Sequence, residues 1–185
     1  VTSVASFQDR RVWAPDNDPG ALKAYSSFNI TPIPLPIADV LTGLQTGLID
    51  SIGSPPIGAI ALQWHTQVDY ALELPLMYVY GLFAITERAF SRMDESEQAI
   101  VTEELSAAVA RVDAASRKDN EAANQALVDQ GLQWLQPSNA ERAEWYSIAD
   151  GANQRLKANE YVSEAMFDEL MALLQEYRSA QNANP

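Results

Sequence analysis

The sequence contains no cysteine and only one histidine, His65. Disulfide bonds, thiolate metal sites and cysteine nucleophiles are therefore excluded. A metal site has no support either, because no acidic cluster of the calcium-binding kind accompanies the single histidine. We accordingly expect neither a metal nor an organic cofactor.

Basic residues are also scarce, since 12 Lys and Arg stand against 25 Asp and Glu, giving a net charge of −13. Phosphate binding needs a basic face, and no run of Lys or Arg occurs, so nucleic acid is not an expected partner. The same charge disfavours docking on an anionic membrane surface. The acidic excess indicates a self-repelling protein surface.

Long apolar segments are missing as well. The longest uncharged apolar run, Leu74 to Thr86, is shorter than the roughly 20 residues that cross a bilayer, and its composition favours a buried strand. The chain begins at Val1 rather than at Met. We therefore expect a processed chain whose signal peptide has been removed, a trimmed chain, or a fragment.

What is present in the first third is an alternation of strand and helix signals. Strands are predicted at 10–14, 30–35 and 48–54, and helices begin at Asp18-Pro19, Pro36 and Pro55-Pro56. In the first strand, Val12 and Ala14 should face one side, and Arg11 and Trp13 the other. The alternation predicts an α/β fold with a mostly parallel sheet and right-handed crossovers.

After residue 68 the pattern becomes mainly helical. Two consecutive strands are predicted at 68–75 and 76–86, and a very long helix follows from the capping box of Asp94 and Glu97. A short strand at 132–135 leads to a second capping box, Ser138 with Glu141, and two final helices. We divide the chain into 1–92, with the strands and crossovers, and 93–185, with the long helix, the short strand and the C-terminal helices.

Apolar residues three or four positions apart predict one buried face on each long helix. These faces consist of Val101, Leu105, Ala108, Val112 and Ala115; of Trp145, Ile148, Ala152 and Leu156; and of Met166, Leu170, Leu173 and Tyr177.

Catalytic motifs are not found. His65 follows a Trp at a helix end, a position typical of packing or capping, and no G-x-S-x-G nucleophile elbow accompanies it. The nearest match, Gly53-Ser54-Pro55, lacks a backbone N–H where an oxyanion hole would need one. Glycine-rich nucleotide loops are also missing. We expect no enzyme activity, and an α/β enzyme using His65 as a base remains the alternative.

The ends of the predicted parallel strands suggest a binding site. Ligands of open α/β sheets bind beyond the carboxyl ends of the strands, where helices begin and their N–H groups and dipoles can receive polar atoms. Three such turns occur here, at 13–15, 35–37 and 53–55. Each proline taken alone is explained by ending a strand, but three similar turns at one edge predict a ligand site.

The stretch ITPIPLPIADVLTGLQTGLIDSIGSPP resembles a signature of the solute-binding proteins of tripartite ATP-independent periplasmic (TRAP) transporters. That family has a "Gly-Ala-x-Pro-x-Pro-Met" segment, then "Val-Tyr-x-Ala-Leu-Gln-x-Gly-x-Val-Asp-Gly" and "Glu-Asn-Pro". The matching positions here are Pro32, Pro34, Val40, Leu44, Gln45, Gly47, Asp50 and Pro55. The order of later elements is similar too, so the resemblance extends over the whole chain.

The resemblance implies a periplasmic-binding-protein-like lobe without enzyme chemistry. Family members are usually nearly twice as long, which implies that an N-terminal lobe is absent from this chain. The whole protein would capture a small organic solute, carboxylate-containing or neutral, between two lobes in the periplasm. It would then deliver the solute to integral-membrane permease subunits. A ligand-sensing domain of a signalling system is the other non-enzymatic alternative.

The family pattern also implies positions for solute contacts. Its "Arg-Val-Pro" places an arginine that clamps the ligand carboxylate where Trp13 stands, unless a slip of two residues gives that role to Arg11 on the same strand face. The family asparagine of "Glu-Asn-Pro" becomes Ser54, and an apolar contact falls on Ile37. The predicted ligand-binding residues are Trp13, Arg11, Ile37, Ser54 and Pro55, with Trp64 and Tyr78 at the pocket rim.

Overall fold

The computed structural model describes residues 1–77, 79, 81–158 and 162–182, and it confirms the predicted α/β class in a helix-rich form with small parallel sheets. The helices are α1 (Val4–Gln8), α2 (Pro19–Ser27), α3 (Val40–Gln45), α4 (Pro56–Ala61), α5 (Glu87–Phe90), α6 (Glu95–Asp129), α7 (Asn139–Ala158) and α8 (Glu164–Asn182). The strands are β1 (Trp13–Pro15), β2 (Ile33–Leu35), β3 (Tyr70–Leu72) and β4 (Gln133–Leu135). Short 3-10 turns occupy Ile37–Asp39 and Trp64–Gln67.

Both sheets are parallel pairs. β1 pairs with β2, with Trp13 opposite Ile33 and Pro15 opposite Leu35, and β3 pairs with β4. The strand predicted at 48–54 is reduced to a single parallel bridge between Val12 and Ser51. The predicted strand was too long, because the segment lies on the outer side of β1 and pairs with it at one residue only.

The two faces of β1 pack into separate apolar clusters, as the predicted alternation requires. Val12 belongs to a cluster with Val4, Phe28, Ile30 and Trp145. Trp13 points the other way, into a second cluster with Val40, Ile49 and Trp64. A strand buried on both faces is the expected centre of a parallel α/β arrangement.

Three of the predicted helix starts are confirmed in detail, whereas the helix predicted from Pro36 begins with the 3-10 turn and becomes α-helical only at Val40. Asp18 accepts a hydrogen bond from the Ala21 amide, and Pro19 occupies the first turn of α2. Asp94 and Glu97 form the reciprocal capping box of α6. Ser138 and Glu141 exchange backbone-to-side-chain hydrogen bonds in the same way before α7. Local sequence therefore determines where these helices begin.

Two predictions from apolar patterns were wrong. No strand forms in the described residues of 76–86, where Leu82 and Phe83 are 85% and 69% exposed. Only Ala123 and Leu127 are buried on α6, whereas Val112 is exposed. An apolar pattern buries surface only if a neighbouring element covers it. For 76–86 the described residues supply no such element, whereas α4 packs against α6 and leaves part of its predicted face uncovered.

The two C-terminal helices differ in how their predicted faces are used. The α7 face is confirmed, with Trp145 and Ala152 buried. The α8 face is exposed, since Met166, Leu170 and Tyr177 each show more than half of their surface. Within the described residues, no helix combines the length and apolar composition that crossing a bilayer requires.

Candidate functional site

Three turns meet at one edge of the β1–β2 pair. Pro15 and Leu35 are opposite each other at the carboxyl ends of the two strands. Ser54 follows the bridge residue Ser51 by three positions, as Pro15 follows Val12, so the third turn leaves the bridge in the same direction as β1. We call this edge, formed by residues 15–18, 36–39 and 53–56, the rim.

Ser54 has a defined environment on the rim. Its hydroxyl donates a 3.0 Å hydrogen bond to the Pro55 carbonyl. A Cβ atom on Gly58 would lie 2.9 Å from the Ser54 oxygen, so the glycine in the first turns of α4 leaves room for the hydroxyl. This contact explains a helical glycine that would otherwise cost about 1 kcal/mol.

Ile37 gives the rim an apolar surface. It opens the 3-10 turn after β2 and is 58% exposed, so it presents an aliphatic side chain at this edge. Pro55 stands before α4 in an extended conformation and takes the N-cap position. Both predicted contacts therefore lie on the same edge as Ser54.

Trp13 and Trp64 lie beneath the rim rather than open to it. They are 7% and 3% exposed, and their rings make an edge-to-face contact with centroids 5.3 Å apart. The Trp13 indole N–H donates a 2.9 Å hydrogen bond to the Leu35 carbonyl. Both rings thus pack together in the second apolar cluster, under the ends of β1 and β2.

Arg11 pairs with an acidic neighbour. Its guanidinium lies 3.1 Å from one Asp50 carboxylate oxygen, and its backbone amide donates to the other oxygen at 3.0 Å. Arg11 precedes Pro15 by four positions, or about 13 Å at the rise of a strand. The ion pair therefore lies toward the amino ends of the strands, away from the rim.

The rim turns carry acidic side chains and no basic ones. Asp16 and Asp18 lie in the first turn and Asp39 in the second, and none of the three turns contains Lys or Arg. The Asp18 carboxylate also accepts a hydrogen bond from one of the backbone amides at the start of α2. An anionic solute therefore meets like charge from these turns rather than a cation.

Asn120, on α6, bonds to the start of another helix, α4. Its side-chain oxygen accepts a 3.2 Å hydrogen bond from the Ile57 amide in the first turn of α4. The contact joins residues 63 positions apart in the sequence and holds the long helix against the helix that follows the rim. Sequence reasoning missed this residue, because no local motif connects Asn120 to Pro55-Pro56.

Replacing Asn120 with alanine should lower the free energy of unfolding by about 1 kcal/mol, since the partly buried Ile57 amide loses its acceptor. Asn120→Asp keeps an acceptor at a helix N-terminus and should stay within about 0.5 kcal/mol of the parent protein. Urea denaturation measures both variants, with Gln125→Ala on the same helix as the control. Equal stability of Asn120→Ala and the parent would show that the contact does not stabilise the fold.

His65 acts as a helix-end partner. Its Nδ1 lies 3.1 Å from the Ala59 carbonyl oxygen of α4. No carboxylate of the described residues pairs with its ring. The described residues also bring together no group of three His, Asp or Glu side chains that could hold a metal ion. Tyr78, the remaining predicted rim residue, lies outside the described residues.

Comparisons with known proteins give a consistent result. The profile of the bacterial extracellular solute-binding proteins, family 7, matches residues 2–159. No curated protein matches the chain.

Solved structures of TRAP periplasmic solute-binding proteins share the fold. The protein of Desulfovibrio salexigens with bound orotic acid has a TM-score of 0.73 and 16% identity over 95% of this chain and 56% of its own. For the Haemophilus influenzae protein with bound L-gulonate, the TM-score is 0.84 and the identity 14%, over 93% and 56%. For the Shewanella oneidensis protein with bound succinate, these values are 0.79 and 14%, over 91% and 54%.

The solved structures match this chain over only part of their own length and at low sequence identity. At such identities the solved structures establish the fold of this chain. The chain spans 56% of the Desulfovibrio protein and 54% of the Shewanella protein.

Proposed function

Because the chain belongs to family 7 of the bacterial extracellular solute-binding proteins, we propose that it forms one lobe of a TRAP-type receptor that captures a small organic solute at the rim. The resemblance recognised in the sequence is confirmed by the family match and by the solved TRAP proteins. The predicted periplasmic location is confirmed by the same findings.

One observation carries the proposal: the carboxyl ends of β1 and β2 lie side by side, the turn with Ser54 follows the segment bridged to β1, and Ile37 is exposed in the turn after β2. A mostly apolar surface with a few placed polar groups is the usual composition of a small-molecule site. The absence of Lys and Arg from the three turns indicates that this lobe binds its solute without a cationic clamp.

The family consists of solute-binding proteins rather than enzymes. We further propose that this chain performs no chemistry of its own. The support is the position of His65, whose ring nitrogen is directed to the Ala59 carbonyl instead of to a carboxylate that would orient a catalytic base.

The proposed partners are the solute and integral-membrane permease subunits. A receptor of this kind carries its solute to the permease and releases it there, so the two components must meet. Two membrane-protein genes beside the gene for this chain would support transport, whereas a neighbouring sensor gene would favour the signalling alternative.

Binding is tested by thermal denaturation of the protein, expressed with all flanking sequence that its gene encodes. The probes are orotic acid, L-gulonate and succinate, which the solved relatives contain, with orotamide, L-gulono-1,4-lactone and succinamide as neutral counterparts. At a concentration of about 100 Kd, a binding probe should raise the melting temperature by about 5 °C.

Ile37→Asp should abolish this shift, because it places a charge on the apolar part of the rim. Ile100→Asp is the matched control, since Ile100 is equally exposed on α6, at 60% against 58%. The proposal fails if none of the six probes stabilises the protein, or if Ile37→Asp responds like the control.

A further inference from the structure

Tyr25 reaches the rim from the opposite face of β1. It lies near the end of α2 and packs against the cluster that contains Val12 and Trp145. Helical side chains lean toward the N-terminus of their helix, and α2 begins at the rim with Pro19. The phenol is therefore directed back toward the edge where the strands end.

Gly53 leaves space next to the Tyr25 hydroxyl. A Cβ atom on Gly53 would lie 3.4 Å from that hydroxyl oxygen, and apart from Gly53 and its two chain neighbours no other atom of the described residues lies within 4 Å of this Cβ position. Gly53 directly precedes Ser54. The missing side chain thus leaves the hydroxyl uncovered next to a predicted solute contact.

The hydroxyl is also free to bond. Within the described part of the chain, no hydrogen bond engages the Tyr25 oxygen. The same residues contain no buried side-chain oxygen or nitrogen without a partner, so this oxygen is reached by solvent.

Burial of the ring raises the pKa of Tyr25 above its ordinary value of 10.0, because the phenolate form is poorly solvated there. The group therefore keeps its proton at neutral and moderately alkaline pH, and it can act as a hydrogen-bond donor.

We propose that the Tyr25 hydroxyl is a further solute contact, donating a hydrogen bond through the opening at Gly53 to an uncharged oxygen of the solute, such as a hydroxyl, lactone or amide oxygen. The proposal rests on the receptor function proposed above and specifies the chemistry of the same site. The acidic side chains of the rim turns favour a neutral acceptor over a carboxylate.

Calorimetric titration of the protein with L-gulono-1,4-lactone, succinamide and orotamide tests this contact. For a compound that binds the parent protein, Tyr25→Phe should raise Kd about tenfold, the usual cost of one lost hydrogen bond. Tyr70→Phe is the matched control, because Tyr70 is 58% exposed on β3 in the other sheet and should leave Kd unchanged.

Gly53→Ala provides a second, independent variant. The added Cβ makes an ordinary contact with the hydroxyl and covers it, so Kd should again rise. In the Tyr25→Phe background the same alanine should change Kd by less than twofold, because the group that it covers is already gone. A purely steric effect on the rim would persist in that background.

The outcomes separate the two proposals. Binding of a neutral probe with a Tyr25→Phe Kd within twofold of the parent value overturns the Tyr25 contact and leaves the receptor function standing. If acids bind and no neutral probe binds, the Tyr25 contact is likewise overturned and the receptor function stands. If none of the acids or neutral probes binds the parent protein, the receptor function fails and the Tyr25 contact fails with it.

Discussion

Replacing Trp13 with alanine is expected to lower the free energy of unfolding by about 3–5 kcal/mol, a large fraction of the stability of a typical domain. The ring is 7% exposed and contacts Trp64 edge to face. Its N–H also satisfies the Leu35 carbonyl at the end of β2. Removing the ring therefore leaves a cavity and an unpaired carbonyl at the base of the rim.

Urea denaturation followed by circular dichroism measures this loss without relying on tryptophan emission. Trp13→Phe keeps most of the ring and should lose about 1–2 kcal/mol, largely from the missing donor. Phe83→Ala, at a site 69% exposed, should stay within about 0.5 kcal/mol of the parent protein. A loss below 1 kcal/mol for Trp13→Ala would mean that Trp13 does not support the rim by packing.

A comparable loss, again about 3–5 kcal/mol, is expected for Trp145→Ala on α7. Trp145 is 3% exposed and contacts the rings of Phe7 and Phe28 at centroid distances of 5.5 and 5.2 Å. Its indole N–H donates to the Thr2 carbonyl at 2.8 Å. The side chain thus joins the first residues of the chain and α2 to α7 on the other face of β1.

The matched control is Ser147→Ala, two residues further along α7 at an exposed position. It should leave the urea midpoint unchanged, while Trp145→Ala shifts the midpoint to markedly lower urea. Equal midpoints for the two variants would show that α7 does not close this face of β1.

The features that could be predicted from the sequence are those set by neighbouring residues. Asp18 before Pro19, and Asp94 with Glu97, identify helix starts because the capping side chain and the amide that it satisfies lie within three residues. The alternation of Val12 and Trp13 predicts that they face opposite sides of the strand, and the structure places these residues in different clusters.

The features that could not be predicted depend on contacts between distant segments. Asn120 meets Ile57 across 63 positions, and Tyr25 meets Gly53 from another element, so neither pair leaves a local pattern. The strand predicted at 76–86 needs a pairing partner that the sequence of the segment cannot reveal. For the site, the resemblance identified positions, but whether Trp13 is open or covered depends on Trp64.

We propose a solute-binding rim without a cationic clamp, and the role of Arg11 tests this proposal most directly. Arg11 is paired with Asp50 and lies about 13 Å before Pro15 along the strand. If the solute were held by this arginine, removing the guanidinium should cost at least tenfold in affinity for a carboxylate, as expected for a charge-assisted bidentate pair.

The most direct measurement is a calorimetric titration of the parent protein and Arg11→Ala with succinate and succinamide, L-gulonate and its lactone, and orotic acid and orotamide. We expect at least one neutral compound to bind as tightly as its acid or more tightly, with Kd values that change less than threefold in Arg11→Ala. Binding restricted to the acids and lost in Arg11→Ala would contradict a rim that works without a cationic clamp.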